Sequence, residues 1–320
     1  MPVSGDYWIV MKPAHKYSSP DVSCKRTAAK EFSYMDNMFL RRSHPVLRRQ
    51  NQLLAALPAA DFGRLLPHLE LLPLPFGLAL YESGSEQEYE YFPTTSIVSL
   101  LGVTPDGSSA EIAVVGNDGV VGIAPIMGGE TTTSRAVVQS GGYAYRLRAV
   151  VLKEEFDRGG PLQHLLLRYT QALITQMAQA AVCNRYHAVE QRLRRSLLLS
   201  LDRLPSNEVT TTQRMIANLL GVRRERVTEA ASKLKVADVI DYSRGKITVL
   251  DRAKLEAEVC ECYSVVKREY DRLLPGTTGV GDPPSPPQER GGNRLDPRPL
   301  KSPIVCRKPA RWYGPCRLPP

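Results

Sequence analysis

The hydrophobic period of this chain changes once, at Gly159-Gly160, and that change sets what the chain can fold into. Before it, short apolar runs alternate with turn signals. The runs are "TSIVSLLGV", "AEIAVVG", "VVGIAPIM", "RAVVQS" and "YAYRLRA", separated by Pro105-Asp106-Gly107, Asn117-Asp118-Gly119, Gly128-Gly129 and Gly141-Gly142. Asp-Gly pairs supply the positive φ of tight hairpins. Many short strands at near-regular spacing predict a double-sheet β-structure of the jelly-roll type. After the glycine pair, Leu162, Leu166, Tyr169, Leu173, Met177 and Ala180 recur every three to four residues behind Pro161, which suits a first helical turn. A helix over 161–187 would be roughly 40 Å long. Its apolar stripe, small at Ala178, Ala180 and Ala181, predicts a dimerisation seam.

These signals divide the chain. Residues 1–49 lack a period and are expected to be disordered or a mis-assigned extension, with Met35 and Met38 as candidate starts. Residues 50–160 form a β-rich sensor domain opened by two short helices, one facing inward through Leu53, Leu54 and Leu57, the other through Asp61, Phe62, Leu65 and Leu66. Residues 161–187 are the dimerisation helix. Residues 188–252 open with a helix whose buried stripe is Val189, Leu193, Leu197 and Leu201, and 253–274 are a C-terminal helix. The Pro-, Gly- and Arg-rich residues 275–320 are expected to be disordered, with Trp312-Tyr313 carrying no motif of their own.

The formal net charge of +9 resides in the two ends of the chain. Between them, residues 50–160 carry 13 acidic and 6 basic side chains, and residues 161–274 carry 13 acidic and 19 basic ones. Only the second half is therefore expected to meet a polyanion. The six cysteines, Cys24, Cys183, Cys260, Cys262, Cys306 and Cys316, have no disulfide-scaffold spacing and read as reduced thiols. No apolar run is long enough to span a bilayer and no signal-peptide core is present, so the expected location is the cytoplasm.

The stretch "VTTTQRMIANLLGVRRERVTEAASKLKVADVIDYSRGKITVLD" reads as helix, turn, helix and two-stranded wing. Thr210 to Thr212 offer an N-cap, with Thr210 and Gln213 as a capping box. Ala217 permits a close helix crossing, Gly221 tolerates the positive φ of a tight turn, and Val227 fills the gap between the helices. Val227, Ala230, Ala231 and Leu234 form the inner face of the second helix, over 222–236. Its first turn is then free for base edges: Arg224 for guanine and Glu225 for cytosine, with Thr228 and Glu229 beside them. Thr212, Gln213, Arg223, Arg226 and Lys233, and Arg244 and Lys246 at the wing tip, are candidate backbone contacts. Three arginines at a helix N-terminus oppose its macrodipole, and phosphate is the natural compensating partner.

This order of elements, with "LLGVRRERVTEAASKL" on the recognition helix, resembles the CRP/FNR family of bacterial transcription regulators over about residues 50–250. The resemblance implies an α+β fold: a cyclic-nucleotide-binding-like jelly roll, a long dimerisation helix and a C-terminal winged helix-turn-helix. It also implies a homodimer that reads a two-fold symmetric site in double-stranded DNA and contacts RNA polymerase. Arg224-Glu225 falls on the family's Arg-Glu pair. Glu229 replaces a base-reading arginine, so the half-site of the best-known members does not transfer.

In "GIAPIMGGETTTSRAVVQ" the resemblance places a possible effector pocket at Gly122, Glu130 and Arg135. Ile123 stands where cyclic-nucleotide-binding members carry a glutamate, and Ala136 follows Arg135 in place of a hydroxyl. No cofactor is expected, cyclic nucleotide included. Only Cys24 precedes the sensor, so an iron–sulfur cluster there is not expected. Cys183 and His187, four apart on a helix, offer two ligands from one chain. Cys260 and Cys262, two apart on a helix, are expected to point apart. No metal site is expected. No nucleophile elbow, phosphate loop or zinc-protease motif occurs, which argues against an enzyme. Two alternatives are a nucleotide-sensing module without DNA binding and a dimerising paralogue that has lost it.

Overall fold

The computed structural model describes residues 50–274 apart from Pro205 and Arg244. The expectations for residues 1–49, for residues 275–320 and for Arg244 lie outside the described residues. Asn51 starts the fold. Its buried side-chain oxygen accepts from the amides of Leu53 and Leu54, capping α1 (Gln52–Ala56), and its amide donates to the carbonyls of Pro93 and Gly119. One side chain thus fixes the first helix to two turns of the β-domain. Helix α2 (Ala59–Leu65) follows, with Phe62 and Leu65 in the core.

Seven strands build two antiparallel sheets. They are β1 (Glu70–Leu74), β2 (Ala79–Tyr81), β3 (Tyr89–Pro93), β4 (Ile97–Val103), β5 (Ser109–Val115), β6 (Ser134–Ser140) and β7 (Gly142–Arg148). One sheet has the order β1-β7-β3 and the other β2-β6-β4-β5. Phe92, Ile97, Val98, Ala136, Val138 and Leu147 are buried in the core. The run "VVGIAPIM" is not a strand. Val121 alone bridges to Tyr91, after which Gly122 takes φ +100° and Pro125 opens a 3-10 turn at Pro125–Met127. Neither residue suits a ladder.

The Asn117-Asp118-Gly119 turn also departs from expectation. Gly107 takes a positive φ, but Gly119 keeps an ordinary one. Gly119 is required by contact instead: a Cβ there would lie 2.7 Å from the Tyr169 ring, and one on Gly116 would lie 2.6 Å from Cβ of Arg203.

Helix α3 (Ala149–Asp157) leads to the long helix α4 (Pro161–Tyr186). The stripe expected as a dimer seam is buried within the chain. Leu162, Leu166, Tyr169, Leu173 and Ala180 are all covered, Tyr169 donates to the carbonyl of Val120, and Gln176 donates to that of Val114. The period located the stripe correctly but said nothing of what covers it, and the chain's own β5 and last helix do so.

Helix α5 (Val189–Leu201) follows and is buried nearly all round, arginines included. Next come β8 (Glu208–Thr210), α6 (Gln213–Leu220), α7 (Arg224–Val236), β9 (Ile240–Ser243) and β10 (Lys246–Val249). The expected two-stranded wing has a third strand, since β10 pairs with both β8 and β9. Thr210 belongs to that strand, so the cap of α6 is Thr212 rather than a Thr210 box; its hydroxyl accepts from the Met215 amide. The expected single C-terminal helix is two, α8 (Arg252–Ala257) and α9 (Glu261–Leu273).

Arg203, just past α5, ties the β-domain to these helices. It pairs with Asp118 at 2.8 Å, donates to the Leu199 carbonyl and stacks over Tyr270 of α9. Removing one partner strands a buried charge, at a cost of about 3–5 kcal/mol. Arg203→Leu is expected to lower the unfolding free energy measured in urea by that order. Asp118→Leu in the same background should restore part of the loss; strictly additive losses would show the pair to be uncoupled.

Glu90 of β3 is fully buried beside Gly122, and neither of its carboxylate oxygens has a partner among the described residues. Burial pushes its carboxyl up to about 8. The folded chain therefore holds this proton more tightly than the unfolded chain does. The associated stability is complete in acid and is lost as pH rises through about 8. Thermal unfolding should show stability falling between pH 5 and 9 by on the order of a few kcal/mol, and Glu90→Gln should flatten that slope.

Candidate nucleic-acid interface

The two helices that carry the basic cluster are locked by small residues and one left-handed turn. Ala217 and Val227 are buried at their crossing, and Gly221 caps α6 at φ +60° and ψ +41°. Val227, Ala230, Ala231 and Leu234 are all buried, so the opposite side of α7 faces outward. Arg223, Arg224, Glu225, Arg226, Thr228 and Glu229 are exposed there. The expected base-reading and phosphate-binding residues of α7 thus share one solvent-facing surface.

Gln213 in the first turn of α6 organises that surface. Its side-chain oxygen accepts from the Thr228 hydroxyl at 3.1 Å and from Nε of Arg224 at 3.5 Å. The hydroxyl of Thr228 also lies 3.1 Å from the Arg224 carbonyl. Arg224 is therefore held along the outer face with its terminal guanidinium nitrogens free of this contact. Gln213, expected on the DNA backbone, has its side-chain oxygen engaged by Arg224 and Thr228 in this conformation. Glu229 likewise has other partners: it lies 3.7 Å from Arg226 and 3.2 Å from Lys233. Lys233 also reaches Glu190 at 3.8 Å, and Lys246 reaches Glu208 at 3.2 Å. These pairs are exposed and worth little, so phosphate can displace them. Thr212 is exposed but spends its hydroxyl on the α6 cap.

The turn between α6 and α7 rests on the β-domain. A Cβ on Gly221 would lie 3.3 Å from that of Ala110, and Leu219 packs with Leu101 and Val137 of the four-stranded sheet. Sequence patterning missed this contact, because Ala110 and Gly221 read locally as strand and turn.

The three residues expected in an effector pocket have different local surroundings. Gly122 turns the chain beside Glu90, Arg135 pairs with Glu82 at 2.9 Å, and Glu130 lines an open cleft with Glu86, Glu88, Arg148 and Lys153.

A cluster that sequence reasoning took apart is assembled at the end of α4. Cys183, His187, Cys260 and Cys262 converge, and the three cysteines are buried. Cys260 is not helical but is the extended N-cap of α9 (φ −69°, ψ +155°), so its side chain and that of Cys262 need not diverge. A hydrogen bond from the Cys183 thiol holds Cys260 down to about 6, while burial pushes Cys262 up to about 11.

Residues 191–258 match the Crp-like helix-turn-helix domain family. No curated protein matches the chain. Among solved structures, the fold is similar to that of a protein described as a transcriptional regulator of the CRP/FNR family from Eubacterium rectale. That match has 17% identity and a TM-score of 0.51, covering 64% of this chain and 96% of the other. It is also similar to FixK2 from Bradyrhizobium japonicum, with 17% identity and a TM-score of 0.52 over 60% of this chain and 98% of the other. No described helix is long and apolar enough to cross a membrane. The chain thus carries a Crp-like helix-turn-helix domain over residues 191–258, within a fold similar to that of structures described as CRP/FNR-family regulators.

Proposed function

We propose that the chain binds DNA sequence-specifically as a homodimer, entering successive major grooves of a two-fold symmetric operator with two copies of α7 under control of the β-domain. The observation that carries this reading is the outward first turn of α7: Arg223, Arg224 and Arg226 stand exposed on a helix whose other face is fully packed. Arg224 and Glu225 read base edges, and Thr228 and Glu229 flank them. Arg223, Arg226 and Lys233, with Lys246 of the wing, contact phosphates. Such a protein works in the cytoplasm, where bacterial DNA is. Contact with RNA polymerase follows from the family resemblance alone.

Dimerisation uses the face of α4 that the chain leaves uncovered. Leu167, Gln171, Ile174, Ala178 and Val182 are exposed and follow one another at steps of four, three, four and four residues. That is the spacing of a seam between two helices. Ile174 is 53% exposed, which a soluble surface seldom leaves uncovered in the middle of such a row.

Two measurements test the reading. On duplexes selected from a random pool, Arg224→Ala is expected to lose about 1–3 kcal/mol and relax preference at one position per half-site. Arg226→Ala should weaken all sequences alike and reduce the salt slope by about one. Unchanged affinity and preference in Arg224→Ala would overturn the assignment. Separately, Ile174→Glu should convert a dimer to a monomer in sedimentation while leaving the circular dichroism intact. A variant still dimeric would place the interface elsewhere.

A further inference from the structure

Sγ of Cys183 lies 3.6 Å from Sγ of Cys260, Sγ of Cys262 lies 3.5 Å from Nδ1 of His187, and all four donor atoms lie within 4.8 Å of one another. From this geometry we infer that Cys183, His187, Cys260 and Cys262 form a mononuclear, tetrahedral Zn2+ site. Zinc bonds of ~2.3 Å to sulfur and ~2.0–2.1 Å to nitrogen set tetrahedral donor atoms about 3.5–3.8 Å apart. Both of the pairs named above already have that separation. An iron–sulfur cluster puts its thiolates on different irons, farther apart than the ligands of a single ion, whereas these donor atoms all lie within 4.8 Å of one another. Three thiolates and an imidazole also disfavour Mg2+ and Ca2+, which take oxygen ligands. With four protein ligands the site is closed, as structural zinc sites are.

Two features around the ligands fit a bound cation. Nε2 of His187 lies 3.3 Å from a carboxylate oxygen of Glu261. A histidine that ligates through one ring nitrogen commonly donates through the other to such a carboxylate, which fixes its tautomer and orientation. The centre would carry a net charge of −1, and the fields of Arg195 and Arg192 both couple to Cys183. Arg195 is buried with Nε unpartnered among the described residues.

Binding needs all three cysteines as thiolates and the imidazole neutral, and whatever protons they carry pass to solvent, so affinity falls as the pH is lowered. The ligands come from two segments that enclose the helix-turn-helix; Cys183 and Cys260 are 77 positions apart. Zinc would pin the last turn of α4 to the first turn of α9.

The test uses the full chain, reduced, stripped with chelator and titrated anaerobically with Co2+ alone. One Co2+ per chain is expected, with the intense visible bands of a tetrahedral ion, thiolate charge transfer in the near ultraviolet, and displacement by Zn2+. Cys183→Ser and Cys262→Ser should each weaken binding at least 100-fold. The triple variant Cys24→Ser/Cys306→Ser/Cys316→Ser should bind as the parent does. If the buried-cysteine variants do not fold, Glu261→Ala decides: its side chain is 71% exposed, and about a 10-fold loss of Co2+ affinity is expected. A weak octahedral spectrum, binding lost only in the triple variant, acid-labile sulfide in the purified protein, or unchanged affinity in Glu261→Ala would each overturn the assignment.

Discussion

Charge buried at the end of one helix holds this molecule together. Arg203 leaves water to meet Asp118, the Leu199 carbonyl and the face of Tyr270. Such burial costs least where a buried donor finds a charged or carbonyl partner. The partners here come from the β-domain, from α5 and from α9, so one guanidinium joins three parts of the chain. Around it, Arg192 donates to the Leu220 carbonyl, and Arg194 pairs with Glu190 and Glu258. Gly116 and Gly119 follow from the same constraint, since side chains there would displace Arg203 and Tyr169. The β-domain and the helix-turn-helix therefore share a continuous core.

What the sequence revealed follows how local each constraint is. The helix-turn-helix was legible because a close crossing, a left-handed turn and an apolar plug must fall at fixed spacings, and Ala217, Gly221 and Val227 do. The jelly roll was legible from strand-length apolar runs, except at "VVGIAPIM", where Gly122 and Pro125 overrule an apolar composition. The stripe of α4 was legible, but its partner was not, because a period gives a face and not a neighbour. The role of Asp118 was hidden behind its turn chemistry. Glu208–Thr210 lacks apolar length, so its place in the wing comes only from pairing with β10.

The candidate interface shows the same boundary. Which side of α7 faces outward could be read from Val227, Ala230, Ala231 and Leu234. That Gln213 would anchor Arg224, and that Glu229 would balance Arg226 and Lys233, could not, since both depend on how two helices meet. The cysteine group is the extreme case. Its members lie on two elements far apart in the chain, and one of them sits outside the helix that periodicity drew through it.

The touch between Gly221 and Ala110 has a consequence for descent. Gly221 sits at φ +60°, which disfavours any side chain, and a β-carbon placed there would come within 3.3 Å of that of Ala110. Among relatives that keep this docking, drift at the hairpin and drift at the turn cannot be independent. The two sites should evolve as a linked pair, although one belongs to the sheet and the other to the helical hairpin.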